Sequence, residues 1–225
     1  MTPGKSGPGD PDMNVRKGLV VLAMAAAWIP LGCGRAGGAT VPASAERAVA
    51  GGPSRIGALV PDVTVQTANG KSVSLAELTR NRRTVLVLYR GGWCVFCNRH
   101  LAELRDLHPK LTELGYQLLA VSPDRPAKLH QSVAKHNLPY TLLSDSNLAV
   151  ARALGVAFRV DDVTVVRYKA DYQIDLEAAS GQDHHMLPVP AVFLIGRDGR
   201  IRFEHVDADY RRRIAAKRLM AAAGE

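Results

Sequence analysis

Along the chain, apolar residues fall into two kinds of pattern. Short unbroken runs read as buried strands: Thr84-Val85-Leu86-Val87-Leu88, Tyr116-Gln117-Leu118-Leu119-Ala120-Val121, Tyr140-Thr141-Leu142-Leu143 and Ala191-Val192-Phe193-Leu194-Ile195. Between them, apolar residues recur every three or four positions. Leu101, Leu104, Leu107, Leu111 and Leu114 form the first such stripe, predicting a helix that Gly115 ends and Pro109 kinks or interrupts. Residues 124–136 predict a second helix with Pro126 in its first turn, and 147–154 a third, closed by Gly155. Near the start, Val63-Thr64-Val65-Gln66 and Lys71-Ser72-Val73 flank Asn69-Gly70 and predict a hairpin, with Ser74 capping a short helix over 75–79. Asp198-Gly199 turns the last apolar run into Ile201-Arg202-Phe203-Glu204, and a helical tail follows. The stretch 158–183 is harder to read, with strand pieces such as Val163-Thr164-Val165-Val166 and an amphipathic insertion expected there. Strands alternating with helices, plus a terminal hairpin, predict an α/β fold: a central mixed β-sheet flanked by helices, with an N-terminal β-hairpin.

Three segments are expected. Residues 1–33 hold an N-terminal extension and an export signal, with Arg16 and Lys17 ahead of a short apolar run that Pro30 ends. Leu31-Gly32-Cys33-Gly34 resembles a lipoprotein cleavage site, which would place a lipid on Cys33; cleavage after Ala36 is the alternative. Residues 34–54 are rich in Gly, Ala and Ser and read as a linker. Residues 55–225 form the folded domain. The expected location is the bacterial cell envelope, with membrane contact only through Cys33.

The net charge of +8 adds little, because the basic residues are dispersed and aromatics make up only 5% of the chain. No nucleic-acid partner is expected, and Arg211-Arg212-Arg213 reads as a solvated helix face. With three cysteines the chain is not a disulfide scaffold. The chemistry concentrates in Tyr89-Arg90-Gly91-Gly92-Trp93-Cys94-Val95-Phe96-Cys97. It lies where a strand ends and a helix starts, so unpaired backbone N–H groups and the positive end of the helix dipole favour a thiolate. Cys94 and Cys97 are the candidate catalytic pair. No second Cys-x-x-Cys exists to complete a zinc site, and Asn98 stands where haem attachment needs histidine. His100, three residues after Cys97, reads as a solvated helix residue. No cofactor is expected. Asp183-His184-His185-Met186 supports an alternative: a copper(I)-binding protein using Cys94, Cys97 and His184 or His185.

The Trp93-Cys94-Val95-Phe96-Cys97 corner resembles the active site of thioredoxin-fold proteins. Val121-Ser122-Pro123-Asp124, residues 138–145 and Pro188-Val189-Pro190-Ala191-Val192-Phe193 are similar to the alkyl hydroperoxide reductase/thiol-specific antioxidant family. Arg90-Gly91-Gly92-Trp93-Cys94 and His205-Val206-Asp207-Ala208-Asp209-Tyr210 resemble its peroxiredoxin-like subgroup. The resemblance implies a thioredoxin-like fold and a thiol-dependent antioxidant oxidoreductase that reduces peroxides or protein disulfides, with an external thioredoxin-like thiol reductant as partner. It puts Pro190 at the place of the fold's cis-proline, so that Trp93 and Pro190 shape the substrate groove. The family pattern Pro-x-x-x-Thr-x-x-Cys sets Arg90 on the proline, Cys94 on the threonine and Cys97 on the attacking cysteine. Thioredoxin geometry instead makes Cys94 the nucleophile and Cys97 the resolving thiol, so the order of attack stays open.

Overall fold

The computed structural model describes residues 43–49 and 54–225, and the export and lipidation readings on residues 1–33 lie outside them. Nine strands and eight helices follow in order: α1 (Ala43–Val49), β1 (Thr64–Thr67), β2 (Ser72–Ser74), α2 (Leu75–Thr79), β3 (Arg83–Leu88), α3 (Val95–Glu113), β4 (Tyr116–Ser122), α4 (Pro126–His136), β5 (Thr141–Ser144), α5 (Ala149–Ala153), β6 (Ala157–Arg159), α6 (Asp162–Tyr172), α7 (Leu176–Ser180), β7 (Met186–Pro188), β8 (Ala191–Ile195), β9 (Ile201–Val206) and α8 (Ala216–Gly224). Within the stretch read as a linker, α1 is helical and buries Ala45 in the core.

Seven strands form one mixed sheet in the order β2-β1-β5-β4-β3-β8-β9. β3, β4 and β5 run parallel, while β8 and β9 extend one side antiparallel and the β1–β2 hairpin extends the other. β3 and β4 lie inside this sheet and are covered on both faces, which explains why they read as apolar runs and not as alternation. Successive side chains point to opposite faces. Leu86, Leu88, Leu119, Val121, Phe193 and Ile195 enter one core with the α5 and α7 side chains. Val85, Val87, Tyr89, Leu118, Ala120 and Leu194 enter the other, against Leu101, Leu104 and Leu111 of α3 and Leu219 of α8. Each fully buried Leu or Phe contributes about 1.5–3 kcal/mol by leaving water.

The N-cap expectation holds: Ser74 Oγ accepts the Glu77 backbone N–H at 3.1 Å. α3 runs through Pro109 without a break, so the interruption that the proline could have caused does not occur. Proline there withholds one N–H, but leucines on both sides are anchored in the core. The segment 158–183 is corrected more substantially. Val163-Thr164-Val165-Val166 is not a strand but the first turns of α6. Asp161 caps that helix twice, accepting the Thr164 backbone N–H and hydroxyl, both at 2.8 Å. Only one of its faces packs inward, through Val165 and Tyr168. Gln173, left-handed at φ 56°, ends it.

Candidate active site

The last residue of β3, Leu88, is followed by a five-residue turn that delivers Cys94 as the N-cap residue of α3. The turn is tied at several points. The Cys94 N–H donates to the Gly91 carbonyl at 3.1 Å, and Asn98 Nδ2 donates to the Gly92 carbonyl at 2.9 Å. From the β4–α4 connection, Asp124 Oδ2 accepts the Gly92 N–H at 2.7 Å and the Ser122 hydroxyl at 3.1 Å. The strand-to-helix corner read from the sequence is therefore present, with Asp124 as a strut that sequence reasoning missed.

Both thiols are free, Cys94 4% exposed and Cys97 fully buried one helical turn later. Their environments push them apart. Interaction with the Cys97 thiol, the Arg90 charge, the Cys97 main-chain N–H and the Arg213 charge together outweigh burial and lower the Cys94 pKa to about 6. Burial, and the proton it lends to Cys94, hold the Cys97 thiol well above the ordinary thiol range. A dithiol polarised in this way holds one ready nucleophile and one reserve thiol. Arg213 Nη2 lies 3.3 Å from Cys97 Sγ, placing a cation where the reserve thiol must ionise.

That contact corrects the reading of residues 211–213 as a solvated helix face: they lie outside α8, and Arg213 turns inward. His100 also departs from expectation. It is 4% exposed, and burial together with the Arg213 and His205 charges lowers its pKa to about 3, so it is a neutral imidazole one turn along α3 from Cys97. Trp93 and Pro190, expected to shape one groove, line different cavities. The Trp93 indole packs 6.0 Å from the Tyr168 ring, and buried Pro190 lines a small cavity with His100, His205 and Arg213. Trp93, Asp124, Lys128 and Lys135 also line a separate cleft of about 290 Å³.

The copper alternative loses its histidines. His184 Nδ1 accepts the Met186 N–H at 2.9 Å, which leaves its Nε2 to donate to the Ser146 carbonyl at 2.8 Å. His185 Nε2 meets Glu177 at 2.8 Å. Among the described residues no group of three His, Cys, Asp or Glu side chains is placed to hold a metal ion.

Asp124 gives the pH dependence a definite sign. Burial raises its carboxyl to about 6 against the two hydrogen bonds. Between its unfolded value of about 4 and its folded value, the folded state binds the extra proton, so its contribution to stability falls as pH rises through that window. Asp124→Asn keeps an acceptor for Gly92 and removes the titration. The variant is expected to gain stability relative to the parent by about 2–3 kcal/mol as pH goes from 4 to 7. Urea denaturation at each pH reads the difference, and a constant offset would contradict it.

Comparison with known proteins agrees with this geometry. A model of the AhpC/TSA family matches residues 56–204. A putative peroxiredoxin bcp of Haemophilus influenzae is 35% identical over 104 residues, 46% of this chain and 66% of that protein. Peroxiredoxin Bcp of Bacillus subtilis is 32% identical over 101 residues, 45% of this chain and 64% of that protein. The matches thus span just under two thirds of these relatives' own length. In fold, the chain is similar to peroxidoxin BcpB of Mycobacterium tuberculosis, with TM-score 0.58, 19% identity, and coverage of 76% of this chain and 97% of that one. Peroxiredoxin Q of Xanthomonas campestris gives TM-score 0.57 at 17% identity, covering 75% and 96%. The match over most of the folded part, the shared thioredoxin-like sheet and the dithiol at its expected corner lead to one conclusion: this chain belongs to the AhpC/TSA family.

Proposed function

We propose that the protein is a thiol-dependent peroxidase working through a Cys94–Cys97 dithiol/disulfide cycle. The observation that carries this is the dithiol at the start of α3, Cys94 at the N-cap and Cys97 buried one turn later beside Arg213, with its surroundings favouring the Cys94 thiolate. The names of the relatives, peroxiredoxins, support it. The Cys94 thiolate attacks one peroxide oxygen, the O–O bond breaks, and the alkoxide or hydroxide leaves with a proton, giving a sulfenic acid. Cys97 loses its proton beside Arg213 and attacks that sulfur; water leaves and an intramolecular disulfide forms. An external dithiol, such as a thioredoxin-like protein, then reopens the disulfide by two exchange steps and is itself oxidised. This order of attack follows the thioredoxin arrangement, not the family pattern aligned on Cys97.

One equivalent of tert-butyl hydroperoxide added to the reduced protein is expected to be consumed, with loss of both thiols and a Cys94–Cys97 disulfide in the peptide map. Dithiothreitol should then sustain turnover. Peroxide left intact beside intact thiols would overturn the reading. A second reading, reduction of protein disulfides by the same pair, draws on Val95, which is 71% exposed directly after Cys94 and offers an apolar contact for a docking peptide. The proposed cell-envelope location rests on residues 13–36 and is tested by fractionation with palmitate labelling of Cys33.

A further inference from the structure

Arg90 is an unusual residue to find inside this protein. It is 3% exposed, yet it belongs to none of the ion pairs among the described residues. Its Nε is buried without a hydrogen-bond partner. Burying an uncompensated cation costs several kcal/mol, so something must offset it. Part of the compensation is aromatic. The guanidinium carbon lies 4.2 Å from the Tyr210 ring centroid, 5.1 Å from that of Trp93 and 5.7 Å from that of Tyr168. One hydrogen bond is added: Arg90 Nη2 donates to the Tyr168 hydroxyl.

These partners come from three places. Trp93 belongs to the turn before α3, Tyr210 to the segment after β9, and Tyr168 to α6. α6 is only lightly attached. It has no buried residue, its Val163 and Val166 face outward, and Tyr168 is one of its two side chains packed on the core. The Tyr168 ring also rests on Trp93, the neighbour of Cys94. Cys94 lies four residues further along the same turn, and the Arg90 charge is among the influences that favour its thiolate.

We propose that Tyr168 is a positioning residue, holding the Arg90 guanidinium in place as the counter-ion of the Cys94 sulfur. The proposal rests on Cys94 as the attacking thiol and adds what keeps it charged. Tyr168 acts through Arg90, to which its hydroxyl is hydrogen-bonded. Other charged or titratable groups also face Cys94: Cys97 from α3, Arg213 and Tyr210 from the segment after β9, and Asp124 from the β4–α4 connection. The test therefore isolates Arg90 and Tyr168 against that constant background.

The measurement is the pH midpoint for alkylation of Cys94 by iodoacetamide in the reduced full chain, with the Cys94 peptide quantified by mass spectrometry. Arg90→Met is expected to raise the midpoint by about one pH unit, which slows alkylation at pH 6 about fivefold. Arg90→Lys should restore most of that shift. Tyr168→Leu is expected to raise the midpoint by about half a unit, and Tyr168→Phe by less, because the ring remains over the guanidinium. Arg90→Met combined with Tyr168→Leu should shift no further than Arg90→Met alone, since Tyr168 has nothing left to hold. Melting temperatures accompany each midpoint, and Tyr168→Phe serves if the larger truncation unfolds. An unmoved midpoint in both Tyr168 variants, an unmoved midpoint in Arg90→Met, or additive shifts in the double variant would each overturn the proposal. No peroxide is present in this assay, so its failure is distinct from failure of the peroxidase reading.

Discussion

Replacing Cys94 by serine is expected to bring peroxide consumption down to the uncatalysed background, a loss of at least about a thousandfold, the scale on which a missing nucleophile is felt. Cys97→Ser should behave differently. Cys94 keeps Arg90 beside it and the start of α3 beneath it, so the first half-reaction survives: one equivalent of peroxide is consumed and a sulfenic acid remains at Cys94. Dimedone should label that residue, and a protein disulfide should be trapped on it as a mixed disulfide. Turnover with a dithiol reductant should fall sharply, because Cys97 is no longer there to close the cycle. The asymmetry follows from the two positions, one sulfur just reaching the surface and the other sealed with its proton. If Cys94→Ser traps a partner and Cys97→Ser does not, the order of attack is the reverse, and the family pattern aligned on Cys97 governs.

The second large effect is expected from a single methyl group. Gly91 has φ +147°, and a Cβ there would lie 2.3 Å from Trp93 Nε1 and 2.9 Å from its Cδ1. Gly91→Ala therefore strains the backbone and displaces the indole that supports Arg90 and faces Tyr168. The sum of the two is about 2–4 kcal/mol, or a fall in Tm of roughly 5–15 °C. Gly115→Ala is the informative comparison. Its φ is +78°, but nothing lies within 4 Å of the added carbon, so only the backbone strain remains. Equal losses in the two variants would mean that the approach to Trp93 is harmless. A Gly91→Ala protein that is also slow to alkylate at Cys94 would locate part of the effect in the thiolate and not only in the fold.

The strands were legible because they are buried on both faces and therefore written as unbroken apolar runs; β3, β4 and β8 stand where those runs stand. The Asn69-Gly70 hairpin and the Ser74 cap were legible because their chemistry is local. The dithiol corner was legible for the same reason, a strand end and a helix start read from adjacent residues. What failed depends, apart from α6, on residues distant in sequence. Val163-Thr164-Val165-Val166 has the composition of a strand, and only the Asp161 cap and one-sided packing make it a helix. That cap, an aspartate three residues before a threonine N–H, was a signal available in the chain. No local feature separates Arg213 from Arg211 and Arg212, because its distinction is a contact with Cys97. His100 looks solvated by spacing alone, and it is buried because α3 lies with that side toward β8, β9 and the segment before α8. Asp124 passed as a helix-start residue, although its partner is the Gly92 N–H on another loop.

Separation along the chain has a further consequence, in time. The Tyr168 hydroxyl is 78 residues from Arg90, and Arg213 is 116 residues from Cys97. As the polypeptide is made, both sulfurs emerge well ahead of these two distant groups. Until the last third of the chain has been synthesised, the corner has Arg90 and its own helix start but neither Tyr168 nor Arg213. The surroundings of the pair are thus completed late, and an unfinished copy lacks part of them.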